Sequence, residues 1–330
     1  MPTIAILGAG AWGTAMALAI AQKPAMTVRL WCAQASTGRE LIATRENARL
    51  LPGVRIPDSI QLTLDPAEAT RGADGWLVAI PTAFLRKALQ PVVGFYRPET
   101  AVVSLSKGIE NETFLRPTEI FAELFGASRL AVLSGPSHAE EVARGLPTSI
   151  VAASPDSALA AQVQDWVSGD RLRVYTNSDL IGVELAGALK NILGIGAGIC
   201  DGLGFGDNAK SALLTRGLVE MQRFGMIFGA NPETFFGLAG LGDVMTTCFS
   251  RHGRNRKVGE RLAKGEPLDA IVNGPQVAAG VYTAKSAYER SRRAGLDAPI
   301  LAAVYKVLYE GLNPLNAVQE LFGRPQKREV

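Results

Sequence analysis

Cysteine is scarce in this 330-residue chain. Cys32, Cys200 and Cys248 are far apart and odd in number, which excludes a disulfide framework and points to a reducing compartment, the cytoplasm. Histidine is scarcer still. His138 and His252 are the only two, and neither has cysteines or carboxylates near it at ligand spacing, so no metal site is expected. Charge of one sign is lacking too: 34 Lys and Arg against 31 Asp and Glu leave +3, which gives no case for nucleic acid or an acidic surface as partner. No long hydrophobic run is present. Ile192–Cys200 is broken by glycines and far too short to cross a bilayer, so stable membrane insertion is not expected. The N-terminus runs straight into an apolar strand without a basic n-region or cleavage signal. There is no Ser- or Pro-rich linker, internal repeat or low-complexity tract. What remains is an ordinary globular composition, 47% apolar and 20% charged, long enough for two domains.

The first half alternates strand and helix signals. Thr3–Leu7 is a short β-prone run leading into Gly8-Ala9-Gly10-Ala11-Trp12-Gly13, then a helical stretch Thr14–Gln22 and a second strand Val28–Cys32. A glycine fingerprint alone is weak, but between a strand and a helix it reads as a dinucleotide-binding turn. In that reading Gly8 permits the tight turn and Gly10 admits a pyrophosphate. Gly13 lets helix and strand pack, and the helix amides meet the phosphates. The acid that usually holds the ribose at the end of the second strand is missing from Trp31-Cys32-Ala33-Gln34, and no Arg replaces it, although Arg29 and Arg39 flank it. NADP is therefore permitted and NAD is not excluded. Further strands are expected at Trp76–Ile80, Ala101–Leu105, Leu130–Leu133, Ser149–Ala152 and Leu172–Tyr175, giving a parallel doubly wound sheet. Ligands bind beyond the carboxyl ends of such strands. Pro81-Thr82, Ser106-Lys107-Gly108-Ile109-Glu110 and Ser134-Gly135-Pro136-Ser137 should thus face one crevice, with Lys107 as a ligand contact. Ser137 is also a candidate cap for a helix beginning near His138.

Strand signals stop near residue 180, which divides the chain into 1–180 and an all-helical 181–330. Val183–Asn208 opens the second part, and its first portion reads as a helix, with Leu185, Leu189, Ile192 and Leu193 at three- and four-residue spacing. Its many small residues imply close backbone packing, and among them stands one cation, Lys190, followed by Asn191. Desolvation would lower the pKa of such a lysine into the range useful for proton transfer; the alternative is a surface lysine whose stem covers its neighbours. Helices are expected at Ala209–Phe228, Pro232–Phe236, Val258–Lys264, Thr283–Ala294, Ile300–Glu310 and Leu315–Phe322. Between them Gly237–Asp243 reads as a flexible loop ending in an acid. The basic run Arg251-His252-Gly253-Arg254-Asn255-Arg256-Lys257 is a solvated face, a nucleic-acid contact or a phosphate clamp. The middle option is disfavoured by the absence of interleaved aromatics.

Taken together the chain resembles the bacterial type of NAD(P)-dependent sn-glycerol-3-phosphate dehydrogenase. The resemblance rests on G-A-G-A-W-G-T-A at Gly8–Ala15, L-P-G at Leu51–Gly53, S-K-G-I-E at Ser106–Glu110 and L-S-G-P-S at Leu133–Ser137. It continues in E-V-A-R-G-L-P-T at Glu141–Thr148, A-L-K-N at Ala188–Asn191 and D-G-L-G-F-G-D-N-A-K at Asp201–Lys210. G-L-A-G-L-G-D at Gly237–Asp243 and R-N-R at Arg254–Arg256 complete it. It implies an N-terminal Rossmann domain and a C-terminal helical domain with the active site between them. It also implies interconversion of glycerone phosphate and sn-glycerol 3-phosphate for glycerophospholipid synthesis, in a homodimer. By the same resemblance Lys190 is the proton acceptor or donor. Lys107, Gly135, Ser137, Lys190, Asp243, Gly253, Arg254 and Asn255 face the substrate. Ala11, Trp12, Lys107, Ala139, Arg254, Val277 and Ala279 join Gly8, Gly10 and Gly13 at the cofactor. Three positions depart from the family pattern: Gly253 for a usual Ser, Ala279 for the Glu of Val-Glu-Gly, and His138 for a usual Phe. The first removes a side-chain contact to the substrate and the second a carboxylate near the cofactor. Two rivals stand beside this reading. A β-hydroxyacid dehydrogenase of similar build would need a carboxylate-binding site, and a non-catalytic dinucleotide sensor would not need Lys190, Lys107 and Asp243 together.

Overall fold

The apolar run at the N-terminus forms β1 (Thr3–Leu7), an interior strand, third from one edge of an eight-stranded sheet. The other strands are β2 (Thr27–Trp31), β3 (Ile60–Thr63), β4 (Gly75–Val78), β5 (Ala101–Ser104), β6 (Leu130–Ser134), β7 (Thr148–Ala153) and β8 (Leu172–Asn177). The computed structural model describes residues 1–250, 252–273, 277–326 and 328. Strand order is β3-β2-β1-β4-β5-β6-β7-β8. The winding reverses between β1 and β4, and such a switch point opens a crevice at the carboxyl ends of both strands. β4 and β5 are buried at every residue, as strands covered on both faces must be.

Two features depart from the sequence expectation. The sheet is not wholly parallel: β7 runs antiparallel to β6. The only helix between them, Ala139–Val142, has four residues and packs with Ala15 and Leu51 beside the first helix, Ala11–Ala21. The chain therefore stays at the carboxyl end of β6 and turns back from there, without the long crossover that a parallel neighbour needs. The second feature is β3, an edge strand of four residues buried at its two ends, Ile60 and Thr63, and too short to show a periodic signal.

After β8 the chain enters a long helix, Leu180–Gly202, which is buried from Gly182 to Cys200. By length and composition this helix could cross a membrane, yet 89% of its most apolar window lies inside the protein. The helix Arg254–Ala263 crosses it at backbone distance. A Cβ added at Gly198 would lie 1.9 Å from the Arg256 carbonyl oxygen, and one at Gly259 2.0 Å from that of Ile195. Close packing explains the run of small residues, since any side chain there would force the helices apart. Helices Gly206–Ile227, Ala279–Arg293 and Pro299–Tyr309 complete the shell.

The two halves are joined by more than the connection at residue 180. Ile109 and Phe114, from the segment after β5, are buried in the hydrophobic core of the helical half. Ser286 Oγ faces the carbonyl oxygens of Ile109 and Glu110 at 3.3 and 3.2 Å. Arg116 and Thr118 reach the buried Glu184: Arg116 Nη1 lies 2.6 Å from its carboxylate, and the Thr118 amide donates to it at 3.0 Å.

Candidate active site

A cavity of about 270 Å³ lies between the carboxyl ends of the central strands and the helical half. Its sheet side comes from Gly10–Trp12 after β1, Ala79–Pro81 after β4, Leu105–Lys107 after β5 and Ser137–Glu140 after β6. Lys190, Asn191, Asp243, Thr246, Thr247, His252–Asn255, Val277 and Ala279 line the other side. The crevice thus gathers all three strand-end turns expected from the sequence.

The fingerprint turn has the shape its glycines dictate. Gly8 has φ +114°, a conformation that disfavours any side chain. A Cβ at Gly13 would sit 1.9 Å from the Gly8 carbonyl oxygen. Neither residue lines the cavity. Gly10 does, and a Cβ built there meets nothing within 4 Å, so the helix N-terminus opens on free space of the kind a pyrophosphate fills. At the end of β2, Cys32 is buried and its thiol is pushed up to about 11 by desolvation. Arg29 is committed to the carbonyl oxygens of Arg71 and Glu68 at 2.9 and 3.2 Å. No charged group stands in Cys32–Gln34.

At the opposite end, Asp243 is 2% exposed and bridges two lysines. Its carboxylate lies 2.6 Å from Lys107 Nζ and 3.1 Å from Lys190 Nζ. Lys107 also donates toward the Gly135 carbonyl oxygen at 3.0 Å and Ser137 Oγ at 3.4 Å. Lys190 donates to Thr247 Oγ1 at 2.5 Å. Lys190 is buried, so the surface-stem alternative is removed. Desolvation lowers its pKa from 10.5 to about 8. Asp243 opposes that fall, and the Lys107 charge adds to it. The same two lysines hold the Asp243 carboxyl below its usual range although burial pushes it up.

The segment before Asp243 is not a flexible loop. Leu238–Gly242 forms one π-helical turn, with Ala239 and Gly240 buried, and the α-helix Asp243–Phe249 follows directly. That helix puts Asp243, Thr246 and Thr247 on one face at i, i+3 and i+4. Thr247 escaped the sequence reading because the helix itself did. The basic run also proves helical, since Arg254–Ala263 begins at its Arg254; Arg251 lies outside the described residues. Gly253 is the N-cap, and a Cβ there would lie 2.6 Å from the Thr247 carbonyl oxygen. Asn255 Nδ2 donates to Asn191 Oδ1 at 2.8 Å, and its own Oδ1 accepts from the Gly280 amide at 2.9 Å. Arg254 is exposed at the mouth and its Nη1 donates to the Val277 carbonyl oxygen at 3.2 Å.

Of the residues expected at the site, Gly8, Gly13 and Gly135 stand behind the cavity wall; the rest line it. Ser137 caps no helix. Its hydroxyl donates to the Gly135 carbonyl oxygen at 2.8 Å, and His138 is the N-cap. Glu140 and His252 line the cavity as well and were not foreseen there. Among the described residues no three His, Cys, Asp or Glu side chains converge as a metal ion would require.

Comparison with known proteins adds the following. Residues 3–160 match the family model for the NAD-dependent glycerol-3-phosphate dehydrogenase N-terminus, and residues 179–319 match the one for its C-terminus. The chain is 46% identical to the NAD(P)+ glycerol-3-phosphate dehydrogenase of Pelotomaculum thermopropionicum, covering 99% of this chain and 95% of that one. It is 44% identical to that of Chlorobium limicola, covering 99% of each. The crystal structure of glycerol-3-phosphate dehydrogenase from Coxiella burnetii superposes with a TM-score of 0.94 at 38% identity, over 98% of this chain and 99% of that one.

Proposed function

The chain belongs to the NAD-dependent glycerol-3-phosphate dehydrogenase family, and on that premise we propose that it interconverts glycerone phosphate and sn-glycerol 3-phosphate with NAD or NADP, Lys190 moving the proton. The observation that carries the mechanism is the Lys107–Asp243–Lys190 chain, with Asp243 and Lys190 buried, facing the glycine fingerprint across one cavity. When bound, the nicotinamide supplies or takes the hydride. The chain's own residues supply place, charge and proton.

With a pKa of about 8, Lys190 is close to balance near neutrality. Its ammonium gives a proton to the C2 oxygen as glycerone phosphate is reduced, and its free amine takes the proton back on oxidation. Asp243 keeps Lys190 charged enough to act as the acid, and Thr247 fixes its direction. Lys107, held by Asp243, Gly135 and Ser137, is the second cation beside the reacting oxygen. Arg254 takes the substrate phosphate with the guanidinium fork, next to Gly253 and Asn255. Gly10, Ala11 and Trp12 take the pyrophosphate, in a turn shaped by Gly8 and Gly13. Ala139, Val277, Ala279 and the stems of Lys107 and Arg254 bound the cofactor side. Residues 1–180 are the dinucleotide-binding domain and 181–330 the substrate domain of a cytoplasmic homodimer that feeds glycerophospholipid synthesis.

Loss of reduced-cofactor absorbance on adding glycerone phosphate tests the reaction; a panel of hydroxyacids tests the hydroxyacid rival. Lys190→Met keeps the apolar stem without the proton. Turnover should drop about a hundred- to ten-thousandfold with cofactor affinity retained. A loss below about tenfold would move the role to Lys107.

A further inference from the structure

The only two histidines of the chain stand 114 positions apart in sequence and meet in this cavity. Their ring centroids are 5.7 Å apart, with the planes inclined at 55°. His138 Nε2 lies 3.4 Å from the Thr246 carbonyl oxygen. A carbonyl only accepts, so Nε2 carries the proton and Nδ1 is left as an acceptor. Thr246 precedes the Thr247 that holds Lys190, and Ala139, next to His138, packs beside the first helix, so His138 stands between the proton-transfer residues and the fingerprint side of the cavity.

Charge in the cavity falls short of what a phosphate ester needs. Lys107 and Lys190 share Asp243, and Arg254 is partly committed to the Val277 carbonyl oxygen. Glu140 lines the same cavity. Three cations against two carboxylates leave a single positive charge for a dianionic group. His252 immediately precedes Gly253, the N-cap of the ten-residue helix Arg254–Ala263, and a glycine N-cap offers that helix no capping side chain of its own. His252, Gly253, Arg254 and Asn255 line the cavity in succession, so an imidazole, a guanidinium and the first amides of a helix border one space. Helix amides and basic side chains together form an anion site.

We propose that His252, steadied by His138, is a second recognition group for the substrate phosphate and sets the preference for phosphorylated over unphosphorylated substrate. This rests on the reaction assigned above. The imidazole donates an N–H to a phosphate oxygen beside Arg254, in place of the hydroxyl that Gly253 cannot supply. His138 is a positioning residue: it fixes the ring of His252 and does not touch the phosphate.

Three variants of the whole enzyme test it: His252→Phe, His252→Gln and His138→Phe. The readouts are kcat/KM for glycerone phosphate and for dihydroxyacetone, and the calorimetric affinity for sn-glycerol 3-phosphate. A hydrogen bond to a charged group corresponds to about ten- to a hundredfold in these quantities. His252→Phe should lower kcat/KM for glycerone phosphate by that factor and weaken sn-glycerol 3-phosphate equally, while dihydroxyacetone falls about threefold at most. His252→Gln, which keeps a donor, should recover most of the loss. His138→Phe should raise KM severalfold and leave kcat nearly as it was. Equal losses on both substrates, or none on either, would overturn the assignment. A wild-type enzyme that binds sn-glycerol 3-phosphate without turning it over would sink the reaction alone, and the calorimetric affinities would still decide His252. Failure of the wild type to bind it at all would sink both.

Discussion

Asp243→Asn separates the electrostatic part of the site from its shape. The amide has nearly the size of the carboxylate and keeps one acceptor, but the charge between the buried Lys190 ammonium and the partly buried Lys107 ammonium is gone. Asp243 is 2% exposed, and its oxygens are 2.6 and 3.1 Å from the two Nζ atoms, so little water screens the loss. An opposite charge at this range moves a pKa by roughly 1–3 units. The Lys190 value of about 8 should therefore drop to about 5–7. Reduction needs the ammonium, so its kcat/KM holds at low pH and declines as pH rises through the Lys190 pKa. Oxidation needs the amine and rises through the same value. Both limbs should move toward acid by about 1–3 units in the variant. At pH about 7.5, a shift of two units cuts the protonated fraction, and with it the reduction rate, about 25-fold. The uncompensated buried Lys190 also costs about 3–5 kcal/mol of stability, relieved in part as it gives up its proton. The assay is the pH profile of kcat/KM in both directions, with urea denaturation alongside. Limbs that stay within about 0.3 unit of the wild type would refute control of Lys190 by Asp243.

Arg254→Ala should cost at least about ten- to a hundredfold in kcat/KM for glycerone phosphate and far less with dihydroxyacetone; equal losses would place Arg254 on the cofactor or the fold. NADH and NADPH should both support turnover, because Cys32–Gln34 carries no charge; a preference above about a thousandfold, roughly 4 kcal/mol, would reveal a charged specificity residue elsewhere. Glu220 is buried and accepts the Ile300 and Leu301 amides at 2.8 and 3.0 Å, yet desolvation raises its pKa from 4.5 to about 7. Its folded pKa lies above the unfolded one, so its contribution is full below about pH 4.5 and is lost as pH rises to about 7, a span of roughly 3 kcal/mol. Glu220→Gln should flatten that slope in denaturation experiments, and an unchanged slope would assign it to another group. Glu220→Ala strands two buried amides and should destabilise at every pH by roughly 1–3 kcal/mol for each.

Much of the architecture was legible because its signals are local. Thr3–Leu7 next to three spaced glycines is enough to place a strand, a turn and a helix, and the small residues of Val183–Asn208 announce backbone contact. Lys190, Lys107 and Asp243 could be named, but not the fact that one carboxylate serves both lysines, since that contact spans 136 residues. Thr247 was invisible because Gly237–Asp243, with glycines at 237, 240 and 242, read as a loop; tertiary packing wound Leu238–Gly242 into a π-helical turn instead. The reversal of β7 depends on where a four-residue helix docks, which periodicity does not carry. His138 and His252 each looked isolated, and only folding makes them a pair.

The segment after β5 has a consequence for how such a gene can be recombined. A crossover placed at residue 178, between the end of β8 at Asn177 and the helix that begins at Leu180, cuts no element. It would nevertheless part Ile109 and Phe114 from the core they fill, Ser286 from the carbonyl oxygens it faces, and Glu184 from Arg116 and Thr118. A hybrid built from two relatives inherits a plug from one parent and its socket from the other. Residues 106–118 therefore travel with the helical half, a piece that is discontinuous in the gene although it is continuous in space.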